Sequence, residues 1–219
     1  MQRHFDEALQ KLKEKIFRMS GLVEENIGAS IKALIDRNSE LAYKVIKSDD
    51  AVNMLEIEID DWCMKLLALY QPAAGDLRFI TSTMRITNDL ERIGDLGVNI
   101  AERTLDLIKV PPLNLKIDIP KMAAASQSML KDSLNAFVNK DSKLAYEVCK
   151  RDDEVDQLNH DIFMALFTCK PEEQKPVERV IDLILVAKNL ERIADHSTNI
   201  CEDVIYLVDG KVIKHHITD

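Results

Sequence analysis

Apolar residues in the N-terminal segment fall at Phe5, Leu9, Leu12, Ile16, Met19, Val23, Ile27 and Leu34, in steps of three, four and one seven. Residues three and four apart share a helix face, so this stripe predicts one long amphipathic helix. After the polar "DRNSE" at 36–40, a second stripe takes Leu41, Val45, Val52, Leu55, Ile59 and Leu66. It stops in "YQPAAGD" at 70–76, where Pro72 and Gly75 break the period. A third helix is expected to begin near Asp76, read as its N-cap, and to run to about Lys109. "VPPLNLKIDIP" at 110–120 has prolines and no usable period, and reads as a linker. An ordered loop packed against one continuous core is the alternative.

The pattern then starts again. "NSELAYKVIKSDDAVNML" at 38–55 matches "KDSKLAYEVCKRDDEVDQL" at 140–158, with "LAY" displaced by 103 residues, and "LERI" at 90–93 recurs at 190–193, displaced by 100. The difference of three is taken up around the turn "TCKPEEQKP". Each half therefore holds three helices, and short connections favour antiparallel neighbours. The expected fold is all-α: six long helices in two tandem, pseudo-symmetric three-helix bundles running up-down-up, residues 1–109 and 121–219, joined by the linker 110–120. "DG" at 209–210 reads as the final helix stop, and His215 and His216 fall in the tail beyond it.

Composition narrows the possible chemistry. Of 219 residues, 46% are apolar and only 5% aromatic, so aliphatic side chains must supply the core. A net charge of -9 argues against a nucleic-acid surface, which needs clustered Lys and Arg to neutralise phosphates, and favours cations or basic protein surfaces. Cys63, Cys149, Cys169 and Cys201 lack CxxC or His-spaced pairing, so neither a zinc site nor a disulfide framework is indicated, and a reducing cytosol fits. Neither a signal peptide nor a membrane span is legible, which leaves peripheral docking on a membrane complex as the only expected membrane contact.

The repeated third helix carries a stripe of acids. At about 100° per residue, Glu91, Glu102, Asp95, Asn88 and Asn99 share an arc of about 80°. Leu90, Ile93, Gly94, Gly97 and Ala101 occupy the adjacent packing arc. The second copy places Glu191, Asp195, Asn199 and Glu202 in the same way. On the middle helices, Asp49 and Asn53 stand four apart beside the apolar seam, and Asp152 and Asp156 repeat that spacing. Were the two sets to converge, several oxygens would surround one spot in each bundle. Such a cluster tolerates full ionisation only with a cation or proton among its members. Hard oxygen ligands suit magnesium, calcium, manganese or iron. A solvated face partnered by Arg92 and Arg192 remains open, as does a cap or kink at "SDD" and "RDD". Glu-x-x-His pairs of the di-iron oxidase kind are missing, and His196, beside Asp195 but round the helix, reads as a partly packed polar residue rather than a ligand. No phosphate loop, nucleophile elbow or HExxH is present.

"QPAAGDLR" at 71–78, "NDLERIGDLGVNIAE" at 88–102 and "KNLERIADHSTNICE" at 188–202 resemble the PhoU family of phosphate-signalling proteins, over essentially the whole chain. That resemblance implies two pseudo-twofold three-helix bundles in a cytoplasmic protein that self-associates as a homo-oligomer such as a dimer. It implies a metal cluster of iron, manganese, magnesium or zinc on each acid face, held by the E-x-x-x-D pairs Glu91 and Asp95, and Glu191 and Asp195, together with Asp49, Asp152 and Asp156. Asn53 stands where an acid is usual, so a weaker or differently occupied first site is expected. The implied role is non-enzymatic: a negative regulator of phosphate uptake and phosphate-starvation signalling between the phosphate ABC transporter ATPase and a sensor histidine kinase. In that picture a bound cation neutralises the acid stripe and offers open positions to a partner's carboxylate or to phosphate. The alternatives are a carboxylate-bridged metalloenzyme and a metal-free helical adaptor.

Overall fold

A computed structural model describes residues 2–112, 117–168 and 177–213. Residues 113–116 of the expected linker, the turn at 169–176 with Cys169, and the tail carrying His215 and His216 lie outside the described residues. The described chain is all-helical: α1 (Gln2–Asp36), α2 (Ser39–Ser48), α3 (Asp50–Tyr70), α4 (Ala74–Ile108), α5 (Ile119–Asn139), α6 (Ser142–Cys149), α7 (Asp152–Phe167) and α8 (Val177–Asp209). These are the six expected helices, with the second and fifth each interrupted once. Among the described residues no helix is long and apolar enough to cross a membrane.

The repeat extends to single backbone angles. Arg37 and Lys140, at equivalent positions, take φ of 51° and 53° and turn the chain out of the first helix of each half. The next residue caps the following helix: Asn38 Oδ1 accepts from the Leu41 amide at 3.0 Å, and Asp141 Oδ1 from the Leu144 amide at 3.1 Å. Arg37 also donates to the carbonyls of Leu107 at 2.8 Å and Ile108 at 3.1 Å, satisfying the open end of α4. At the start of α4 the structure departs from expectation. The helix begins at Ala74 after Ala73, with no side-chain cap, and Asp76 sits inside the first turn, where a carboxylate favours the positive end of the helix dipole. The stop at the other end holds: α8 closes at Asp209, and Gly210, at φ 70°, donates to the Tyr206 carbonyl.

The interruptions are the kinks weighed for "SDD" and "RDD". Asp49 keeps helical angles (φ -63°, ψ -33°), so α2 and α3 form one bent rod. Beside the bend, Ser48 Oγ donates to Val45 O and Asn26 Oδ1, both at 2.8 Å. In the second half Lys150 and Arg151 fill the break, and Arg151 Nη2 reaches Asp132 Oδ2 at 2.7 Å. Each bend leaves an aspartate, Asp49 or Asp152, at the start of the longer helical piece.

Within the halves, α1 packs on α3 and α4, and α5 on α8. The largest contact between elements is α4 against α8, which run antiparallel, and one cluster of buried aliphatic residues passes through both halves. Three buried acids lie along this seam, each with a partner. Asp203 meets Arg85 at 3.0 Å, Asp182 meets Arg103 at 3.2 Å, and Asp89 meets His196 Nδ1 at 2.8 Å. Small residues let α4 approach α1 closely: a Cβ built on Gly97 would stand 2.9 Å from Ile27 Cδ1. Gly97→Val is therefore expected to destabilise by about 1–3 kcal/mol through overpacking. Gly21 lies exposed within α1 with nothing near its missing Cβ, and Gly21→Ala should stabilise by about 0.5–1 kcal/mol. Urea unfolding of the two variants checks both signs.

Candidate metal centres

The bend in the second helix aims Asp49 toward α4. Asn53 and Glu56 follow one and two turns along α3, and Glu91 and Asp95 come from α4. Asn53 Nδ2 donates to Asp49 Oδ2 at 3.0 Å, but Asp49 Oδ1 and Asn53 Oδ1 are buried with no hydrogen-bond partner. Gly94 leaves room for this: a Cβ there would lie 3.2 Å from Asp49 Oδ1. The groups feel one another electrically. Burial first, then the charges of Asp95 and Asp50, push the Asp49 carboxyl up, against the pull of the Asn53 hydrogen bond. Glu91 is raised by burial and then by Asp95, Glu56 and Asp49, with Arg92 pulling the other way. Glu56 is raised by burial, Asp60 and Asp95.

The second half repeats the arrangement with Asp152 and Asp156 from α7 and Glu191 and Asp195 from α8. Asp152 is pushed up to about 6, mainly by burial and then by Asp195, Asp156, Asp153 and Glu191. Asp156 and Asp195 are raised by burial and then by Glu191. Asp152 Oδ1, like its counterpart, is buried without a hydrogen-bond partner, while Lys188 Nζ pairs with Glu191.

Two participants lie outside the residues that the sequence pattern singles out. Glu56 adds a fourth carboxylate to the first cluster, beside Asn53, the residue whose missing charge suggests a weaker site. Its second-half equivalent is Asn159, which lines an open cavity of about 500 Å³ with Asp156 and Glu191. Acid and amide have exchanged places along the helix, so both clusters keep four carboxylates and one amide. The sequence does carry a signal for this, since Glu56 lies seven residues from Asp49 and on the same helix face.

The outer residues of the acid stripe go different ways. Asn99 shares a shallow hollow with Glu91 and Asp95, rimmed by Arg92 and Arg192. Asn199 instead donates to Asp89 at 3.3 Å, in the same seam that holds His196. Glu102 is exposed, and Glu202 lies near Cys149. Among the described residues, no three His, Cys, Asp or Glu side chains already stand close enough to hold a metal. What the fold brings together is two pairs of acid-bearing helix faces. Carboxylates on these faces repel one another, and a multivalent cation would supply the missing attraction. An all-oxygen donor set of carboxylates and an amide carbonyl is the chemistry of hard cations such as magnesium or manganese. The buried, unpartnered oxygens of Asp49, Asn53 and Asp152 fit that use.

A raised carboxyl in the folded state means the fold binds a proton that the unfolded chain has released. In chelator the stability contributed by these carboxyls should therefore be fully present below about 4 and be lost as pH rises through about 6. Asp152→Asn should flatten that fall, as read from melting temperature against pH in EDTA.

Comparison with known proteins gives one result. The PhoU domain family matches residues 16–104 and 119–204, one match in each half. The chain is 42% identical over 212 residues to the phosphate-specific transport system accessory protein PhoU homolog of Aquifex aeolicus (strain VF5), covering 96% of each chain. It is 36% identical to the homolog from Pseudomonas aeruginosa, over 97% of this chain and 88% of that protein. Among solved structures, PhoU from P. aeruginosa superposes with a TM-score of 0.91, at 36% identity, over 94% of this chain and 100% of that one. The phosphate transport system regulatory protein PhoU from Streptococcus pneumoniae superposes with a TM-score of 0.87, at 31% identity, over 96% of this chain and 99% of that one.

Proposed function

The chain belongs to the PhoU family of phosphate-transport accessory proteins, and on that premise we propose that it is a cytoplasmic, non-enzymatic negative regulator of phosphate uptake and phosphate-starvation signalling. It acts between the phosphate transporter's ATPase and a sensor histidine kinase, as a homodimer that meets the membrane only through those partners. Each half contributes one cation centre: Asp49, Asn53, Glu56, Glu91 and Asp95 in the first, Asp152, Asp156, Glu191 and Asp195 in the second.

The observation that carries the metal assignment is the pair of buried, unpartnered oxygens at equivalent bends, Asp49 Oδ1 and Asp152 Oδ1. A polar atom buried without a partner costs about 1–3 kcal/mol, and a cation removes that cost while quenching the repulsion among its neighbours. Occupancy changes what a partner protein meets. Without the ion the face is a cluster of carboxylates; with it much of that negative charge is offset and the face offers coordination positions to a carboxylate or phosphate. The regulatory state is thereby coupled to the charge of a surface, with no chemical step required of the protein.

Glu91→Ala with Asp95→Ala should abolish metal at the first centre while leaving the helical circular dichroism intact. Elemental analysis of protein purified without chelator reads this directly, and unchanged metal content refutes the assignment. In a bacterium lacking its own accessory protein of this family, the wild-type chain should restore repression of phosphate-starvation genes. A variant emptied at both centres should not. Phosphoester hydrolysis by manganese-loaded protein is expected to match free manganese; turnover above that rate would favour the metalloenzyme reading.

A further inference from the structure

The two halves differ in what they expose next to their acid clusters. Along α7 the side chains of Asp152, Asp156, Asn159, His160, Phe163 and Phe167 follow one another on a single helix face, so the acid row runs into an aromatic one. Phe163 is 43% exposed and Phe167 75%, with the two rings stacked at 6.0 Å between centroids. On α8, Leu185, 41% exposed, faces the same side as Phe163. Phe163, Leu185, Asp156 and Glu191 line the same open cavity, which joins the apolar shelf to the acids.

The fold itself does not call for these apolar groups. By the repeat, Phe163 corresponds to Asp60 and Leu185 to Arg85, while Phe167 corresponds to Met64, itself 58% exposed. The first half packs the equivalent helices with charged residues at the positions of Phe163 and Leu185, and Arg85 is drawn off to Asp203 in the seam. Phe163 and Leu185, exposed apolar groups where the other copy carries charge, mark an interaction surface rather than a packing need.

We propose that the α7–α8 groove of the second half is a docking site for an amphipathic helix of a partner protein, with its apolar stripe on Phe163, Phe167 and Leu185 and a basic residue one or two turns further on. A helix lying in an apolar groove seats its anchors at i, i+3, i+4 and i+7. Charge complementarity fixes the other end. Asp156 and Glu191 line the groove, Asp152 and Asp195 lie just beyond, and the neighbouring cation Lys188 is already paired with Glu191. A helix with acids at that end would meet four carboxylates. The preference for a basic residue belongs to the metal-free second centre, because a bound cation would offset the charge of the same carboxylates.

The test is fluorescence anisotropy at pH 8 in EDTA, with the full chain and a labelled synthetic helix carrying leucines at those spacings followed by two arginines. Its comparators are the same helix ending in two glutamates and a scrambled sequence. The basic helix should bind at least tenfold more tightly than either. Phe163→Asp with Leu185→Arg, which installs the first half's own residues and so respects the fold, should abolish that preference, and Met64→Ser on the first half should leave it unchanged. Equal binding of the scrambled or acidic helix, or full binding by the Phe163→Asp, Leu185→Arg variant, overturns the proposal. Vesicles of neutral lipid added as competitor check the other occupant: binding of the basic helix should persist, and its loss as the protein moves to the vesicles would assign the shelf to lipid and overturn the proposal too.

Discussion

Apolar packing directly beneath the carboxylates holds each cluster together against its own repulsion. Val52 and Leu55 alternate with Asn53 and Glu56 on α3, and Leu90 and Ile93 flank Glu91 on α4; all four aliphatic residues are buried. Each such side chain contributes about 1.5–3 kcal/mol on burial, whereas like charges four apart on a helix cost a few tenths of a kcal/mol. The core therefore decides where the acids go. Once that is settled, the acids cannot relax by moving their helices, and their carboxyls respond by holding protons more tightly. A surface prepared in this way is strained in charge but sound in packing, which is the condition in which binding a cation gains most.

The dominance of the core also makes much of the fold legible in the amino-acid sequence. Helical period, the repeat and the two E-x-x-x-D pairs are local properties, visible in steps of three, four and seven residues. The bends at Asp49 and Arg151 are harder to read, because the apolar stripe runs straight through them while the hydrogen bonds beside them, Ser48 to Asn26 and Arg151 to Asp132, reach to another helix. Glu56 is obscured for a different reason: set against its counterpart, Asn53 reads as a lost acid, and the compensating acid three residues later has an amide as its own counterpart. Asn199 and His196 show a further limit. Asn199 falls on the acid stripe and His196 round the helix from it, but the antiparallel contact of α4 with α8 gives both Asp89, a partner distant in sequence.

Duplication fixes the scaffold and frees the surface. The left-handed turns at Arg37 and Lys140, the caps at Asn38 and Asp141 and the unpartnered oxygens of Asp49 and Asp152 have been kept in register. Residues that face outward have diverged, with Asp60 and Arg85 on one side answering to Phe163 and Leu185 on the other. Arg85 and Arg103 meanwhile join the two halves through Asp203 and Asp182, so the copies are bound into one body while presenting unlike faces. A regulator that must address more than one partner is well served by that division.

The central claim is that each bend holds a cation among carboxylates from two helices. Anomalous diffraction from crystals grown with manganese measures it most directly. The account predicts one or more anomalous peaks at each of two sites related by the repeat, within coordination distance of Asp49 on one side and Asp152 on the other. Peaks confined to the outer surface, or carboxylates that remain apart with no peak at either bend, would contradict it.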